Sequence, residues 1–344
     1  MSVKSYGRAL ERARKSRGTR NSRGPRKGAG LARRVSSAAE ESGFRAVLRA
    51  LLFDMWDNKW LDIIMSLHFQ LTSIMASRQQ ERKRQVSAYC KTAKTSALHP
   101  RALNHFIVDN KHKVVYCYIP KVACTTWKKI MAHLVGLKSK SVHEQRFNLL
   151  SFHSKAKVRS ILQNYYKFLF VREPFERLLS AYKDKFTRKT NVWKKYANKV
   201  KRSVGLRLGT NSSTIADNGE ITFQEFITYL IDVSSKGGRL NEHWRHYDSL
   251  CHPCNINFDF IGNYETLEDD APYVLHEAGV GQFVSFPPVH FTSTKGDLQR
   301  YYSKLPREDI IRLQRIYRRD FEMFGYKALK SFGNVINSAD ANKS

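Results

Sequence analysis

The segment that most constrains the fold runs from Lys113 to Leu134, because its hydrophobic pattern changes halfway along. Its first part, Val114 to Ile119, is β-branched and aromatic, which predicts a buried strand. After a short loop the apolar residues recur at helical spacing, and we expect Thr125 or Thr126 to cap this helix. The residues on the apolar face of the helix are Trp127, Ile130, Met131 and Leu134.

A strand that delivers a tight loop to a helix is a candidate anion-binding site. The first amides of a helix lack helical partners and carry the positive end of its dipole, so a phosphate is both bonded and neutralised there. Lys121, in the loop, adds a full charge. An ordinary turn with a solvated lysine would show the same pattern. The Walker loop GxxxxGK[ST] is absent, which argues against phosphate handling of the kind found in ATP-hydrolysing enzymes.

A second segment, Tyr166 to Ser180, repeats this design. A predicted strand, Phe168 to Val171, leads to a charged turn, and Pro174 stands where a helix favours proline. Arg172 follows the strand directly, at the end where open α/β sheets bind ligands. Two anion sites of this kind suit a ligand that carries phosphate at both ends.

These segments resemble motifs of a known enzyme family. PKVACTTW and VREPFERLLSAYKDKF are similar to the 5′-phosphosulfate and 3′-phosphate motifs of Golgi carbohydrate sulfotransferases, which use 3′-phosphoadenosine-5′-phosphosulfate (PAPS). A third block, Asn241 to Asp270, resembles the branch that contains the chondroitin and dermatan 4-O-sulfotransferases. The resemblance covers roughly Cys90 to Tyr326. It implies an α/β fold with a central parallel sheet flanked by helices, related to the P-loop nucleotide kinases.

The resemblance also implies a function in glycosaminoglycan and proteoglycan biosynthesis. A PAPS-dependent enzyme of this branch is expected to sulfate position 4 of N-acetylgalactosamine in chondroitin or dermatan. Terminal N-acetylgalactosamine or glucuronic acid of glycoproteins stays open as an alternative acceptor. The residues implied to bind PAPS are Lys121, Val122, Ala123, Cys124, Thr125, Thr126, Trp127, Arg172, Glu173, Pro174, Phe175, Glu176, Arg177, Leu178, Leu179 and Ser180.

Sulfuryl transfer needs a base for the acceptor hydroxyl and positive charge on the leaving phosphate. Lys121 is the predicted stabiliser of the phosphate. A histidine is the natural base, since its ordinary pKa lies near neutrality. The resemblance places His143 first, because related enzymes carry a histidine after the first motif, and His243 second. Glu173 or Glu265 stays open as the base, and the scheme requires no metal.

The charge balance predicts an acidic partner. The chain carries 60 basic and 30 acidic residues, a net charge of +30, and ten of the basic residues lie between Lys183 and Arg207. Such a surface could hold a sulfated glycan or a nucleic acid, or could be only solvated. A non-enzymatic protein that binds nucleic acid or heparin would explain the charge but not two anion-binding turns. We therefore expect a polyanionic glycan acceptor and no nucleic acid.

The N-terminal region does not share the resemblance. We expect a disordered basic tail at residues 1–43, an apolar segment at 44–77, a stem at 78–89, the catalytic domain at 90–328 and a disordered tail at 329–344. The longest uncharged run, Ile63 to Ser77, has 15 residues, fewer than the roughly 20 that span a bilayer. It would be a poor or atypical anchor, whereas the resemblance implies a type II Golgi membrane protein with a luminal catalytic domain.

Five cysteines leave at least one unpaired if the others form disulfides. Cys251 and Cys254 could be half a zinc site or a redox pair, but no second pair of ligands is evident. We expect them to form structural disulfides in an oxidising lumen, with the pairing left open, and Cys117 to be a core residue. The sequon at Asn211 is compatible with a luminal glycoprotein.

Overall fold

A computed structural model describes residues 58–93, 97–137, 141–142, 145–187, 191–208, 220–289 and 294–327. By compactness the chain separates into residues 1–78 and 79–344. The described part of the first unit, 58–78, is helical and begins helix α1 (Asn58–Thr92). Among the described helices, none is both long enough and apolar enough to cross a membrane. Residues 1–43 and 329–344, for which disorder was expected, lie outside the described residues.

One mixed sheet organises residues 79–344. It contains β1 (Phe106–Asp109), β2 (Val114–Cys117), β3 (Tyr166–Val171) and β4 (Phe260–Asn263), in that spatial order. Strands β2, β3 and β4 are parallel, which confirms the expected parallel centre. Strand β1 is antiparallel to β2, because the connection between them is too short for a parallel crossover.

Helices surround the sheet and form a second apolar cluster beside it. Helices α2, α3, α7 and α8 pack on the sheet, whereas α4, α5, α6, α9 and α10 build the second cluster. Their bounds are α2 (Cys124–Leu134), α3 (Lys155–Asn164), α4 (Pro174–Phe186), α5 (Asn191–Leu208), α6 (Phe223–Ser235), α7 (Tyr247–Cys251), α8 (Leu267–Glu277), α9 (Thr294–Tyr302) and α10 (Arg307–Met323).

The part of α1 expected to be a stem contacts the far edge of the sheet. Gln79 bonds both backbone groups of Ile261 in β4, at 3.0 Å and 2.9 Å. Arg82 donates to the buried carboxylate of Asp270 at 2.8 Å. An open strand edge invites pairing with other chains, so this amide side chain blocks part of the β4 edge.

One disulfide joins the sheet to α7, and a second joins α1 to the segment that follows α7. Cys117, at the end of β2, pairs with Cys251, and Cys90 pairs with Cys254. Structural disulfides were predicted for the CHPC segment, but Cys117 was expected to be only a core residue; it is fully buried and also bridged. Cys124 is free. Among the described residues, no cluster of His, Cys, Asp and Glu could hold a metal ion.

Candidate active site

The loop between β2 and α2 is held in an unusual backbone conformation. Lys121 and Ala123 have φ of 72° and 50°, in the left-handed region that non-glycine residues seldom adopt. Ala123 is the N-cap of α2, and no side chain caps the helix. The prediction that Thr125 or Thr126 caps it is therefore wrong, because both lie inside the first turn. The amides of Cys124, Thr125 and Thr126 precede the first helical hydrogen bond, from Trp127 N–H to the Ala123 carbonyl.

The turn after β3 places a buried guanidinium next to this loop. Arg172 is 2% exposed and packs 4.1 Å from the ring centre of Tyr264. It donates to the carboxylate of Glu176 at 3.3 Å and to the Lys121 carbonyl at 3.4 Å. Helix α4 then begins at Pro174, as predicted, with the Glu173 side chain as its N-cap. Both turns that were predicted to bind anions therefore meet at the carboxyl ends of adjacent parallel strands.

A cleft of about 1030 Å³ opens between these two turns. It is larger than the other cavities found among the described residues, and its size suits a nucleotide-sized ligand. Of the residues implied to bind PAPS, seven line it: Lys121, Ala123, Cys124, Thr125, Thr126, Arg172 and Ser180.

Four cations and two carboxylates line the cleft, namely Lys121, Lys128, Lys185, Arg172, Asp184 and Glu242. Asp184 lies 3.3 Å from the Lys121 ammonium and 3.2 Å from that of Lys185. Burial lowers the pKa of Lys121, and Asp184 partly offsets the effect. Burial raises the pKa of Asp184, but the two lysines outweigh it and hold that pKa below its ordinary value. Lys128 packs 3.6 Å from the ring centre of Tyr118. The balance is cationic, as an anionic ligand requires.

Arg177 was expected to bind the ligand, but its side chain points into the protein. It donates to the carbonyls of Pro120 at 3.1 Å, Arg245 at 2.7 Å and Glu242 at 2.9 Å. It therefore ties the loop before α2 to the segment before α7 and acts as a structural clamp. The other implied residues outside the cleft lining are Val122, Trp127, Glu173, Pro174, Phe175, Glu176, Leu178 and Leu179, all of them buried.

His243 lines the cleft and is held in one orientation. Its Nδ1 lies 2.6 Å from Asn241 Oδ1, which also accepts the His243 backbone N–H at 3.1 Å. Because that oxygen is an acceptor, Nδ1 carries the proton and Nε2 keeps a lone pair. Burial, together with the charges of Lys185, Lys121 and Arg177, lowers the pKa of His243 to about 3. The imidazole is therefore neutral near pH 7.

Comparison with known proteins decides the family. The model of the sulfotransferase family matches residues 104–327. The chain belongs to this family. It is 38% identical over 267 residues to carbohydrate sulfotransferase 11 of Rattus norvegicus, covering 72% of this chain and 75% of that protein. It is 39% identical to carbohydrate sulfotransferase 14 of Danio rerio (65% and 62% covered) and 35% identical to carbohydrate sulfotransferase 10 of Xenopus laevis (72% and 76%). No solved structure matches it.

The remaining candidate bases of this sulfotransferase differ in their access to the cleft. His143 lies outside the described residues. Glu265 accepts the Glu173 backbone N–H at 2.7 Å with one oxygen and the Tyr326 hydroxyl at 2.9 Å with the other. Glu173 does not line the cleft. Of these groups, His243 is the one that the structure places in the cleft with an unprotonated nitrogen.

Several cleft residues were not predicted as site residues. Lys128 lies one helical turn beyond the first motif residues, and Asp184 and Lys185 lie at the end of the second motif. Helical spacing alone could have found them, since positions three or four apart share a face. Glu242 lies in the third block, Asn241 to Asp270, but was not named as a site residue. The loop 286–289 is distant in sequence from both turns, and no local signal marks it.

The buried carboxyl group of Glu173 gives this sulfotransferase a pH-dependent stability. Burial, with the nearby carboxylates of Glu176 and Glu265, raises the pKa of Glu173 to about 8 from its ordinary value of 4.5. Between these two values the native state keeps a proton that the unfolded chain releases, so stability should fall as pH rises. Glu173→Gln keeps an oxygen for the Glu176 N–H and should flatten this dependence. Thermal unfolding between about pH 5 and about pH 8 tests it. Parallel curves for the two proteins would contradict it.

Proposed function

We propose that this sulfotransferase moves the sulfuryl group of PAPS to a sugar hydroxyl, namely position 4 of N-acetylgalactosamine in chondroitin or dermatan. The observation that carries the proposal is that the β2–α2 and β3–α4 turns open into one cationic cleft that also contains a neutral histidine. Relatives whose names identify them as carbohydrate sulfotransferases support a sugar as the acceptor.

The donor set in the cleft fits the two phosphate ends of PAPS. The Lys121 ammonium and the first amides of α2 would hold the 5′-phosphosulfate, since an ammonium and a helix N-terminus both favour an anion. The Arg172 guanidinium and the Ser180 hydroxyl, both in the cleft lining, would hold the 3′-phosphate. Arg172 is already held by Glu176 and by the Tyr264 ring, so little side-chain entropy is lost on binding.

His243 and Lys121 then have separate roles in the transfer. PAPS supplies the activated sulfuryl group and a phosphate as the leaving group. His243 Nε2 accepts the proton of the sugar hydroxyl, whose oxygen forms the new bond to sulfur as the bond from sulfur to the phosphate oxygen breaks. Lys121 stabilises the negative charge that remains on that phosphate oxygen. No metal is needed in this scheme.

Asn241 is a positioning residue in this scheme. Asn241→Ala should lower kcat about tenfold to a hundredfold, because the His243 ring would no longer be held in one tautomer and orientation. The KM for PAPS should stay close to its original value, since Asn241 is not among the cleft-lining residues. Steady-state assays with PAPS and desulfated chondroitin measure both constants. A rise of tenfold or more in the KM for PAPS, with kcat unchanged, would assign Asn241 to ligand binding instead.

The same family supports a proposal for the location. We propose a Golgi membrane protein of type II topology with residues 90–328 as its luminal catalytic domain. The two disulfides support an oxidising compartment, because such bonds rarely persist in the cytosol.

Sulfate transfer by the full chain, expressed in the secretory pathway of a eukaryotic host, tests the function. The acceptors are desulfated chondroitin, desulfated dermatan, a glycoprotein glycan ending in N-acetylgalactosamine or glucuronic acid, and RNA, each with radiolabelled PAPS. Label at position 4 of chondroitin or dermatan is the expected result, and disaccharide analysis gives the position. Label on the glycoprotein glycan alone would assign the alternative acceptor. RNA binding without label on any glycan would contradict the transferase.

A further inference from the structure

A second concave surface lies on α10, on the end of α6 and on the segment that precedes α7. Two cavities of about 490 Å³ each share Ser234, Arg315 and Ile316 in their linings. Together they form one groove with six basic side chains, which we call the basic groove: Arg239, Arg245, His246, Arg312, Arg315 and Arg319.

Within the described part of the chain, three of these six side chains lie near a carboxylate and three do not; among the former, His246 Nδ1 lies 3.5 Å from the buried carboxylate of Asp320. Arg239 and Arg315 are exposed and have no carboxylate within ion-pair distance among the described residues. Arg319 lies 3.3 Å from Asp248, and Arg312 lies 3.6 Å from Asp309, but exposed pairs of this kind contribute little.

The one acidic side chain in the described lining of the groove already has partners within the chain. The only carboxylate in its described lining, that of Asp232, lies 2.7 Å from the Lys236 ammonium and accepts the Ser203 hydroxyl at 2.6 Å. Arg245 is fixed by donating from Nε to the Leu240 carbonyl at 2.8 Å. The surface is therefore a concave cationic strip with at least one guanidinium held in place.

The basic groove and the candidate active site share one wall. Within the segment 239–246, Glu242 and His243 line the cleft, whereas Arg239, Arg245 and His246 line the groove. The Cα of Arg239 is at most about 15 Å from that of His243, because each residue adds no more than about 3.8 Å. Arg177 holds this wall by donating to the carbonyls of Glu242 and Arg245.

We propose that the basic groove binds the part of a polyanionic glycan acceptor that extends beyond the sugar in the cleft. The inference rests on the proposed function, and it adds a second binding site for the same substrate chain. A chain that carries a carboxylate at regular intervals presents anions to successive arginines while one hydroxyl stays beside His243. Arginine suits this task, because its planar donors pair with carboxylate and sulfate oxygens.

The lining favours a glycan over a nucleic acid. Proteins that bind single-stranded nucleic acid combine positive charge with aromatic side chains on which the bases stack. Among the described residues that line the basic groove there is no Phe, Tyr or Trp. Carboxylates and sulfates on a sugar chain need no such platform.

A pair of matched double variants of the full chain tests the basic groove. Arg239→Gln/Arg315→Gln removes two charges from the groove. Lys304→Gln/Arg318→Gln removes two charges from exposed positions that line neither the groove nor the cleft. Binding of a fluorescent chondroitin polymer is measured by anisotropy without PAPS. The KM values for the polymer and for a chondroitin tetrasaccharide are measured with PAPS.

The groove variant should bind the polymer about tenfold more weakly and show a polymer KM about tenfold higher, with kcat and the tetrasaccharide KM unchanged. The control variant should match the original chain. Equal polymer binding by the two variants, or an equal rise of KM for polymer and tetrasaccharide, would overturn the proposal. So would RNA that binds more tightly than chondroitin and loses affinity only in the groove variant. If no acceptor is sulfated even by the original chain, the proposed function fails, and the binding measurement still decides the groove.

Discussion

Lys121→Ala should lower kcat for sulfate transfer about a thousandfold, the loss expected when one preorganised donor to a developing charge is removed. Lys121 stands in a half-buried cleft, where the interaction of its ammonium with a phosphate oxygen is screened less than in water. It lies in the turn between β2 and α2, where its backbone is left-handed. The measurement is single-turnover transfer from radiolabelled PAPS to desulfated chondroitin, with the melting temperature recorded to confirm folding.

Lys185→Ala is the matched control for this prediction. Lys185 lies in the same cleft and contacts the same oxygen of Asp184, so its removal changes the net charge equally. If Lys121 acts on the leaving phosphate, the control should lose far less in kcat. Equal losses for the two variants would show that only the total charge of the cleft matters, and Lys121 would have no specific role.

The two strand-loop-helix units could be predicted from the sequence because each is local. A buried strand, a short loop and a helix with a periodic apolar face follow one another within about 20 residues, and the structure contains both. The exact residue at which each helix begins was harder to predict. Helix α2 has Ala123, in a left-handed conformation, as its N-cap, whereas the sequence pattern favoured a threonine cap.

The residues of a continuous sequence motif do not all contact the ligand, because successive residues of a helix point in different directions. In the first motif, Thr125 and Thr126 face the cleft, whereas Trp127 is fully buried against Phe168 and Phe170. The motif residues that face inward pack in the core and fix the positions of the two turns. They support the site without lining the cleft.

Contacts between distant segments were the part that sequence patterns could not supply. The pairing of Cys117 with Cys251 spans 134 residues, and nothing in the composition of either segment selects that partner. The same holds for Arg177, whose three carbonyl acceptors come from two separate loops. Long-range partners of this kind depend on the topology of the sheet.

His243→Gln should lower kcat about a hundredfold to ten-thousandfold, the usual contribution of a positioned general base. The pKa of His243 is about 3 because of burial and of the cations Lys185, Lys121 and Arg177. The negative charges of PAPS offset those cations, so the pKa should rise when the donor is bound. The acid limb of kcat should therefore lie at higher pH than that of kcat/KM for PAPS, since the two profiles report the bound and free protein. His243→Gln should remove the acid limb of kcat.

Two further substitutions serve as comparisons. Glu242→Gln removes the other titratable side chain of the same cleft wall, and His143→Gln removes the histidine that sequence resemblance ranked first. Both variants should keep most of the activity and the acid limb of the kcat profile if His243 Nε2 takes the proton. Loss of the limb in His143→Gln, with the limb retained in His243→Gln, would assign the base to His143. His243 would then only line the cleft, with its ring held in place by Asn241.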